Sequence, residues 1–330
     1  MPDPTAGIVL DADSAHAAVV AVLVADGADP DAAAAVADHL VDADLSGHAS
    51  HGVYRLTEYH RACRSGQVDP QARPAIDRDD GTTLTIDGRR SFGQVAARFA
   101  VDAAVERSGR HGVCVATVRS SSHIGRLADA AARLADSRRI GIVMTNDSGA
   151  NQVVAPHGGT DGRLATNPIA FGIPRSRPPH LVFDMATSET SHGTALLEAR
   201  RAGGGDTAAG LLRPLAGHKG YGLGLVVDVL AGILSGAGWS GPHPGDDYQG
   251  ICLIAIDPGR FSDGFAASVD ELVAWVKSSP PAGAEPVLAP GEPGALARAR
   301  ATGIPVDPTT WGELQAVFAE TGVAPPQRRC

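Results

Sequence analysis

The chain has 330 residues, 43% of them hydrophobic, and a formal net charge of −9. That length and apolar content support a large core, in one big domain or two to three interleaved ones, and the acidic balance without any basic stripe speaks against a nucleic-acid partner. The longest apolar stretch, Gly222 to Leu234, is too short to cross a bilayer and holds Asp228, so no membrane partner is expected, and the opening Met-Pro-Asp-Pro lacks the basic start of a signal peptide, which points to a cytoplasmic protein.

Only 4% of the residues are aromatic, while Gly and Ala are abundant. Ala-rich helices and Gly-rich turns are therefore expected to carry the architecture. The N-terminal part reads as helical. Asp29-Pro30 has the form of an N-cap followed by proline at the first helical position, and Ala34, Val36, Leu40 and Val41 then recur in helical rhythm to Asp44. A third helix is predicted from near Gly52 to Ser65, with Gly66 as its left-handed cap.

The middle alternates. Thr82–Ile86, Val113–Val118 and Ile140–Thr145 read as strands; Gln94–Ser108 and Ile124–Ser137 read as helices. Ile169–Ile173 and Leu181–Phe183 follow as strands. Then come a Gly-rich helix over about Lys219–Leu234, a strand Ile251–Ile256, and a helix capped by Ser268 and running to about Ser278. Pro280–Gly294 reads as a loop, and two short helices close the chain. This order predicts an α/β or α+β fold. No Gly-x-Gly-x-x-Gly follows a strand, and the nearest run, Gly220-Tyr-Gly-Leu-Gly224, lies inside a helical pattern. A Rossmann sheet is therefore not expected.

The four cysteines, Cys63, Cys114, Cys252 and Cys330, are scattered and form no Cys-x-x-Cys pair, so they read as buried free thiols. The twelve histidines show no ligand spacing, and no metal is assigned.

Three clusters carry chemistry. In Ser46-Gly-His-Ala-Ser-His-Gly-Val-Tyr-Arg55, Ser50 and His51 precede a helix. His51 and Arg55 share a face if that helix begins early. A helix N-terminus and a bidentate arginine both suit a carboxylate, and the dipole end disfavours imidazolium, keeping His51 available to exchange a proton. The same residues also fit an ordinary N-cap serine beside a solvated face. In Arg119-Ser-Ser-Ser-His-Ile-Gly125, His123 suits a general acid/base or a cofactor contact, or else it packs while the serines cap a helix. In Val182-Phe-Asp-Met-Ala-Thr-Ser188, Asp184 at a strand end suits a ribose, or Thr187 or Ser188 simply caps a helix. Lys219, between glycines in Gly217-His-Lys-Gly220, can approach phosphates, although the other half of a P-loop is missing.

In order along the chain, Gly47-His-Ala-Ser-His-Gly-Val-Tyr-Arg55, Ser122-His123, Pro156-His-Gly-Gly159, Thr166-Asn-Pro168, Asp184-Met-Ala-Thr-Ser188, His218-Lys-Gly-Tyr-Gly-Leu223 and Pro290-Gly-Glu292 resemble the malate/L-lactate dehydrogenase family. That family includes ureidoglycolate dehydrogenase, diketogulonate reductase, sulfolactate dehydrogenase and piperideine-2-carboxylate reductase, and the resemblance runs from about residue 12 to 325. It implies a malate/L-lactate dehydrogenase-like fold with a non-Rossmann nucleotide-binding sheet. A helical region, residues 1–78, would pack with the C-terminal helices of 280–330, around an α/β core of 79–279. It implies a homodimer with active sites near the subunit interface, NAD or NADP as cofactor, and a small carboxylate as substrate.

The resemblance also implies roles. His51 is the proton donor with Ser50 its relay partner, Arg55 holds the substrate carboxylate, and Thr166 touches substrate. His123 acts as acid/base or, with Ile124 and Gly125, as a cofactor contact. Asp184, Met185, Ala186, His218, Lys219, Gly291 and Glu292 fall at cofactor-binding positions, and Asp147 stands where a relative has a cofactor-contacting serine. Three features depart from the family pattern: Ala165 replaces the usual glycine before Thr-Asn-Pro, Thr145–Ala155 is slightly longer, and the stretch between Gly193 and His218 is shorter and rich in Gly and Ala. The expected activity is hydride transfer at the alpha carbon of a 2-oxo or 2-hydroxy acid. A cyclic-imine carboxylate reductase and a silent small-acid or nucleotide binder are the alternatives. The shortened stretch predicts a more open pocket for a bulkier acid.

Overall fold

A computed structural model describes residues 8–149, 152–201, 210–241 and 248–329. Cys330, the opening residues through Gly7, and Gly203–Gly205 with Ala208-Ala209 of the shortened stretch lie outside the described residues. The centre is a seven-stranded sheet ordered β2-β3-β4-β8-β5-β6-β7. Its strands are β2 (Ala75–Asp79), β3 (Thr83–Asp87), β4 (Val113–Ser121), β5 (Ile140–Thr145), β6 (Ile169–Ile173), β7 (Leu181–Met185) and β8 (Gln249–Ile256). Only β3 and β4 run parallel, joined through helix α4 (Gly93–His111); every other neighbouring pair is antiparallel. A dinucleotide sheet of the Rossmann type is built from successive parallel crossovers, so this topology is of a different kind, as the missing glycine fingerprint implies.

Small side chains let the layers approach. Ala96, Ala100 and Ala104 of α4, and Ala130, Ala131 and Leu134 of α5 (Ala128–Asp136), pack on Ala116 and Val118 of β4 and on Ile251, Leu253 and Ala255 of β8. The other face meets α7 (His218–Val227) and the turn that follows it through Met144, Cys252, Val227 and Ala231. A separate core joins α1 (Ala12–Ala25), α2 (Pro30–Leu45), α3 (Leu56–Ser65) and the C-terminal helix Pro308–Thr321, with Leu23, Leu40, Leu56, Leu314 and Phe318 buried together. A two-stranded pair, β1 (Ile8–Leu10) with β9 (Ile304–Val306), ties the two chain ends to this layer. Burial pushes the Cys63 thiol up to about 12 and the Cys114 and Cys252 thiols up to about 11, so all three stay protonated. Among the described residues, no helix is long and apolar enough to cross a membrane.

Asp29 does cap α2, accepting the Asp31 N–H at 3.0 Å, and Gly66 ends α3 in the left-handed region. Other boundaries differ. The third helix does not begin near Gly52: that residue is extended (φ −89, ψ −160), which breaks the segment into two short 3-10 turns, Ala49–His51 and Val53–Arg55, before α3 starts at Leu56. The helix expected from Ile124 begins only at Ala128, because Gly125 stands in the left-handed region (φ 80) and the Ile124 N–H is taken by the Gln249 side chain. The helix assigned to a Ser268 cap starts at Phe265 behind left-handed Gly264 and is called α8 (Phe265–Lys277). The Gly-rich helix α7 widens into a π-type turn over Asp228–Ile233, where the buried Asp228 carboxylate accepts from Asn146 Nδ2 at 2.8 Å and from the Ser240 amide and hydroxyl. The sequence reading also passed over α6 (His192–Arg201).

Candidate active site

The two 3-10 turns bring Ser50, His51 and Arg55 to one place, but not as neighbours on a helix face. Ser50 Oγ lies 3.1 Å from His51 Nδ1. Arg55 folds back on the preceding turn: its Nε donates to the Ser50 carbonyl at 3.1 Å and a terminal nitrogen donates to Glu58 at 2.6 Å. The start of α6 closes over the guanidinium. A β-carbon on Gly193 would stand 2.6 Å from Arg55 Nη2 and 3.0 Å from the Ser50 carbonyl oxygen, so only glycine leaves room there.

His123 reaches the same point from the sheet. At the end of β4, the register with β8 shifts between Val118 and Ser121, and Ser120 adopts φ 53. Irregularities of this kind re-aim the chain at strand ends, and here the chain turns towards α3. His123 Nδ1 then sits 2.8 Å from the Tyr59 hydroxyl, to which Gln94 Nε2 donates at 2.7 Å. The His51 and His123 rings are stacked, with centroids 5.9 Å apart. Burial, then the Arg55 guanidinium, then the neighbouring imidazoles hold both histidines well below the usual imidazole range. Both rings are thus neutral at pH 7.

A cavity of about 1000 Å³ opens beside them. Ser50, His51 and Thr166 line one part, together with Ser188, Thr190, Ser191 and Thr194. Thr166 is placed by its backbone, whose carbonyl accepts the Thr187 N–H at 2.9 Å and hydroxyl at 3.0 Å. Gly125, Asp184, Met185, Ala186 and Gly291 line the remainder. Asp184 Oδ2 accepts the Ala128 N–H at 2.9 Å, capping α5, while burial pushes its carboxyl up against the opposing pull of that N–H and of Arg126. Arg126 also lines the cavity and pairs with Asp42.

Other expected contacts stand elsewhere. Ile124 is buried, its N–H on Gln249. The Asp147 carbonyl accepts from Ser240. Glu292 pairs with Lys277 at 2.6 Å and accepts the Ala289 N–H at 2.9 Å, so it holds the loop that presents Gly291. His218 and Lys219 are exposed at the start of α7, the His218 ring 6.0 Å from that of His157. They adjoin a smaller recess of about 580 Å³ that Pro156–Thr160, Arg213 and Gly217 line. Tyr59, Gln94, Glu58, Gly193 and Arg126 were not singled out from the sequence. In the helix expected from near Gly52, Tyr59 stands at i, i+4 from Arg55, a usable signal for it; nothing local marks Gln94 or Gly193.

Two imidazoles held below their usual range stand beside a buried guanidinium, and one of them, His51, borders a cavity against a mostly antiparallel sheet, an arrangement that can exchange a proton next to an anion-holding group. The family model described as malate/L-lactate dehydrogenase matches residues 10–205 and 204–315. The L-lactate dehydrogenase of Cupriavidus necator is 34% identical over 334 residues, covering 92% of this chain and 95% of the relative. The Delta(1)-pyrroline-2-carboxylate/Delta(1)-piperideine-2-carboxylate reductase of Pseudomonas syringae pv. tomato is 31% identical, covering 76% of this chain and 80% of the relative. The malate dehydrogenase structure from Pyrococcus horikoshii OT3 superposes with a TM-score of 0.86 at 31% identity, covering 96% of this chain and 97% of that one. The chain belongs to the malate/L-lactate dehydrogenase family.

Proposed function

We propose that this chain is a nicotinamide-dependent dehydrogenase that interconverts a small 2-hydroxy acid and its 2-oxo acid. The observation that carries this reading is the placement of His51 on the cavity wall with Ser50 on its Nδ1 and the Arg55 guanidinium one hydrogen bond behind. Asp184, small Ala186 and Gly291 on the same cavity suit a ribose and a close backbone approach, so the residues present fit a nicotinamide nucleotide. When bound, that cofactor supplies or accepts the hydride at the alpha carbon.

The chain's own groups do the rest. Arg55 anchors the carboxylate with the donors that Glu58 and the Ser50 carbonyl leave over, and so orients the alpha carbon. His51 gives a proton to the carbonyl oxygen in reduction and takes it back in oxidation. Ser50 Oγ accepts from Nδ1 when the ring is charged. His123 does not line the cavity; stacked against His51, it keeps the pair from holding two protons at once. The assembly proposed is a homodimer.

The test is a reductase screen with NADH and with NADPH against 2-oxo acids and cyclic 2-imino acids, followed by loss of nicotinamide absorbance. Turnover of a 2-oxo acid supports the reading. Turnover of cyclic imines alone moves the chain to the chemistry of its Pseudomonas syringae relative. Absence of turnover and of binding by either cofactor refutes the reading.

A further inference from the structure

Asp44 is the last residue but one of α2, and its carboxylate reaches the segment that bears the reacting groups. Oδ2 accepts the Val53 N–H at 2.7 Å. Val53 opens the turn that ends at Arg55, and the cap position of that turn is Gly52, which has no side chain to offer. The first N–H groups of a helical turn need an acceptor, usually supplied by the cap residue itself. Here the acceptor comes from another element. Gly52 makes this arrangement possible, because a β-carbon there would coincide with the Asp44 carboxylate. Gly52 is also the joint between the turn that carries Ser50 and His51 and the turn that carries Arg55.

We propose that Asp44 is a positioning residue for the reaction: its carboxylate, seated on Gly52 and bonded to Val53, fixes the joint between the two turns and so sets His51 relative to Arg55. The inference rests on the roles proposed above for those two residues. Burial pushes the Asp44 carboxyl up to about 7, with the Val53 N–H pulling the other way. A hydrophobic residue in that place would escape the burial cost but would leave a buried N–H without an acceptor. A polar group held there against its own desolvation sits well with a demand for geometry. If the joint moves, the proton donor and the carboxylate anchor move apart, and misplacement by about 1 Å costs on the order of 100-fold in rate.

The experiment compares Asp44→Asn, Asp44→Ala, Gly52→Ala and the double variant Asp44→Ala/Gly52→Ala in the full chain. Asp44→Ala and Gly52→Ala should each lose on the order of 100-fold in kcat/KM, with kcat lowered and KM for the acid raised. Asp44→Asn keeps an acceptor oxygen and should recover to within about tenfold of the parent. The double variant should be no worse than either single one, since each breaks the same contact. A second readout needs no turnover: the His51 imidazole NMR resonance, assigned with His51→Ala, should move in Asp44→Ala and Gly52→Ala and return in Asp44→Asn. Folded Asp44→Ala with kcat and KM within about twofold of the parent, or an unmoved His51 resonance, would overturn the proposal. Should Asp44→Ala fail to fold, Gly52→Ala with parental kinetics and an unmoved resonance overturns it equally. If the parent protein turns over no acid at all, the functional reading fails, while the resonance still decides the role of Asp44.

Discussion

The imidazoles of His51 and His123 lie face to face, 12° from parallel, each with a hydroxyl on its Nδ1: Ser50 for the first and Tyr59 for the second. The pair is chemically near-symmetric, yet only His51 borders the cavity. His51→Ala should therefore lower kcat by on the order of 10²–10⁴, whereas His123→Ala should act more weakly, through the stacked ring and the Tyr59 contact. Steady-state kinetics of the two variants decide the matter. A nearly silent His51→Ala beside an inactive His123→Ala would make His123 the proton donor.

The sign of the histidine shifts sets a pH dependence. Burial and Arg55 hold His51 well below the usual imidazole range, so the ring is neutral across the physiological range and ready to accept a proton from a hydroxy acid. Oxidation should hold steady as pH rises above neutrality and fall as pH drops through the lowered pKa. Reduction needs the charged ring, so its kcat/KM should climb as pH falls from 7. The two directions measured over the same buffers check this, and a reductive rate that rises with pH would contradict it.

Arg55 and Gly193 make a more indirect prediction. With a β-carbon 2.6 Å from Nη2, Gly193→Ala must displace the guanidinium. KM for the acid should rise while kcat changes less, because a ground-state anchor is what moves. Arg55→Ala should show the same pattern more strongly. Equal KM values for parent and Gly193→Ala would show that Arg55 does not anchor the carboxylate from its position here.

Much of this was legible in the chain itself. The Asp29-Pro30 cap, the strand rhythm of Val113–Val118 and Ile251–Ile256, and the lack of a dinucleotide fingerprint all follow from local chemistry, and local chemistry is what a sequence displays directly. The ordered motifs marked the family. What stayed hidden depends on contacts far apart in the chain. Gln94 and His123 meet at Tyr59 across 35 and 64 positions. Gly52 reads as an ordinary helix start until the Asp44 carboxylate is seen beneath it. The widened turn at Asp228 depends on Asn146, 82 positions away.

Asp44 also predicts how stability varies with pH. Its carboxyl titrates from 3.8 ordinarily to about 7 when folded, burial being the cause, so the folded chain holds a proton there that the unfolded chain releases. Its contribution is full below 3.8 and is lost as pH rises through about 7. Asp44→Asn cannot titrate. The Tm of the parent relative to that variant should therefore fall steadily between about pH 4 and pH 7 and level off above. A difference in Tm that stays constant across this window would mean that the carboxyl is ionised throughout.

The last prediction concerns assembly. Gly222 to Leu234 is the longest apolar stretch of the sequence, and a helix mostly apolar around its circumference is normally buried on most sides. Here one side packs on the sheet through Val227 and Ala231, while Val226 is 51% exposed, Val229 49%, Ile233 55% and Leu234 55%. These residues lie along one stretch from the last turns of α7 through the π-type turn that follows it. Apolar side chains exposed together in this way are what an interface covers. A second copy of the same chain is the occupant that fits the proposed homodimer, since a two-fold contact lets one face cover itself. Light scattering at micromolar concentration should give twice the 33.7 kDa chain mass. Val229→Asp should convert the dimer to monomer, because a carboxylate would be buried in the apolar contact without a partner. A parent protein that is monomeric and fully active at that concentration would refute the homodimer, and a dimer that survives Val229→Asp unaltered would move the interface to another face.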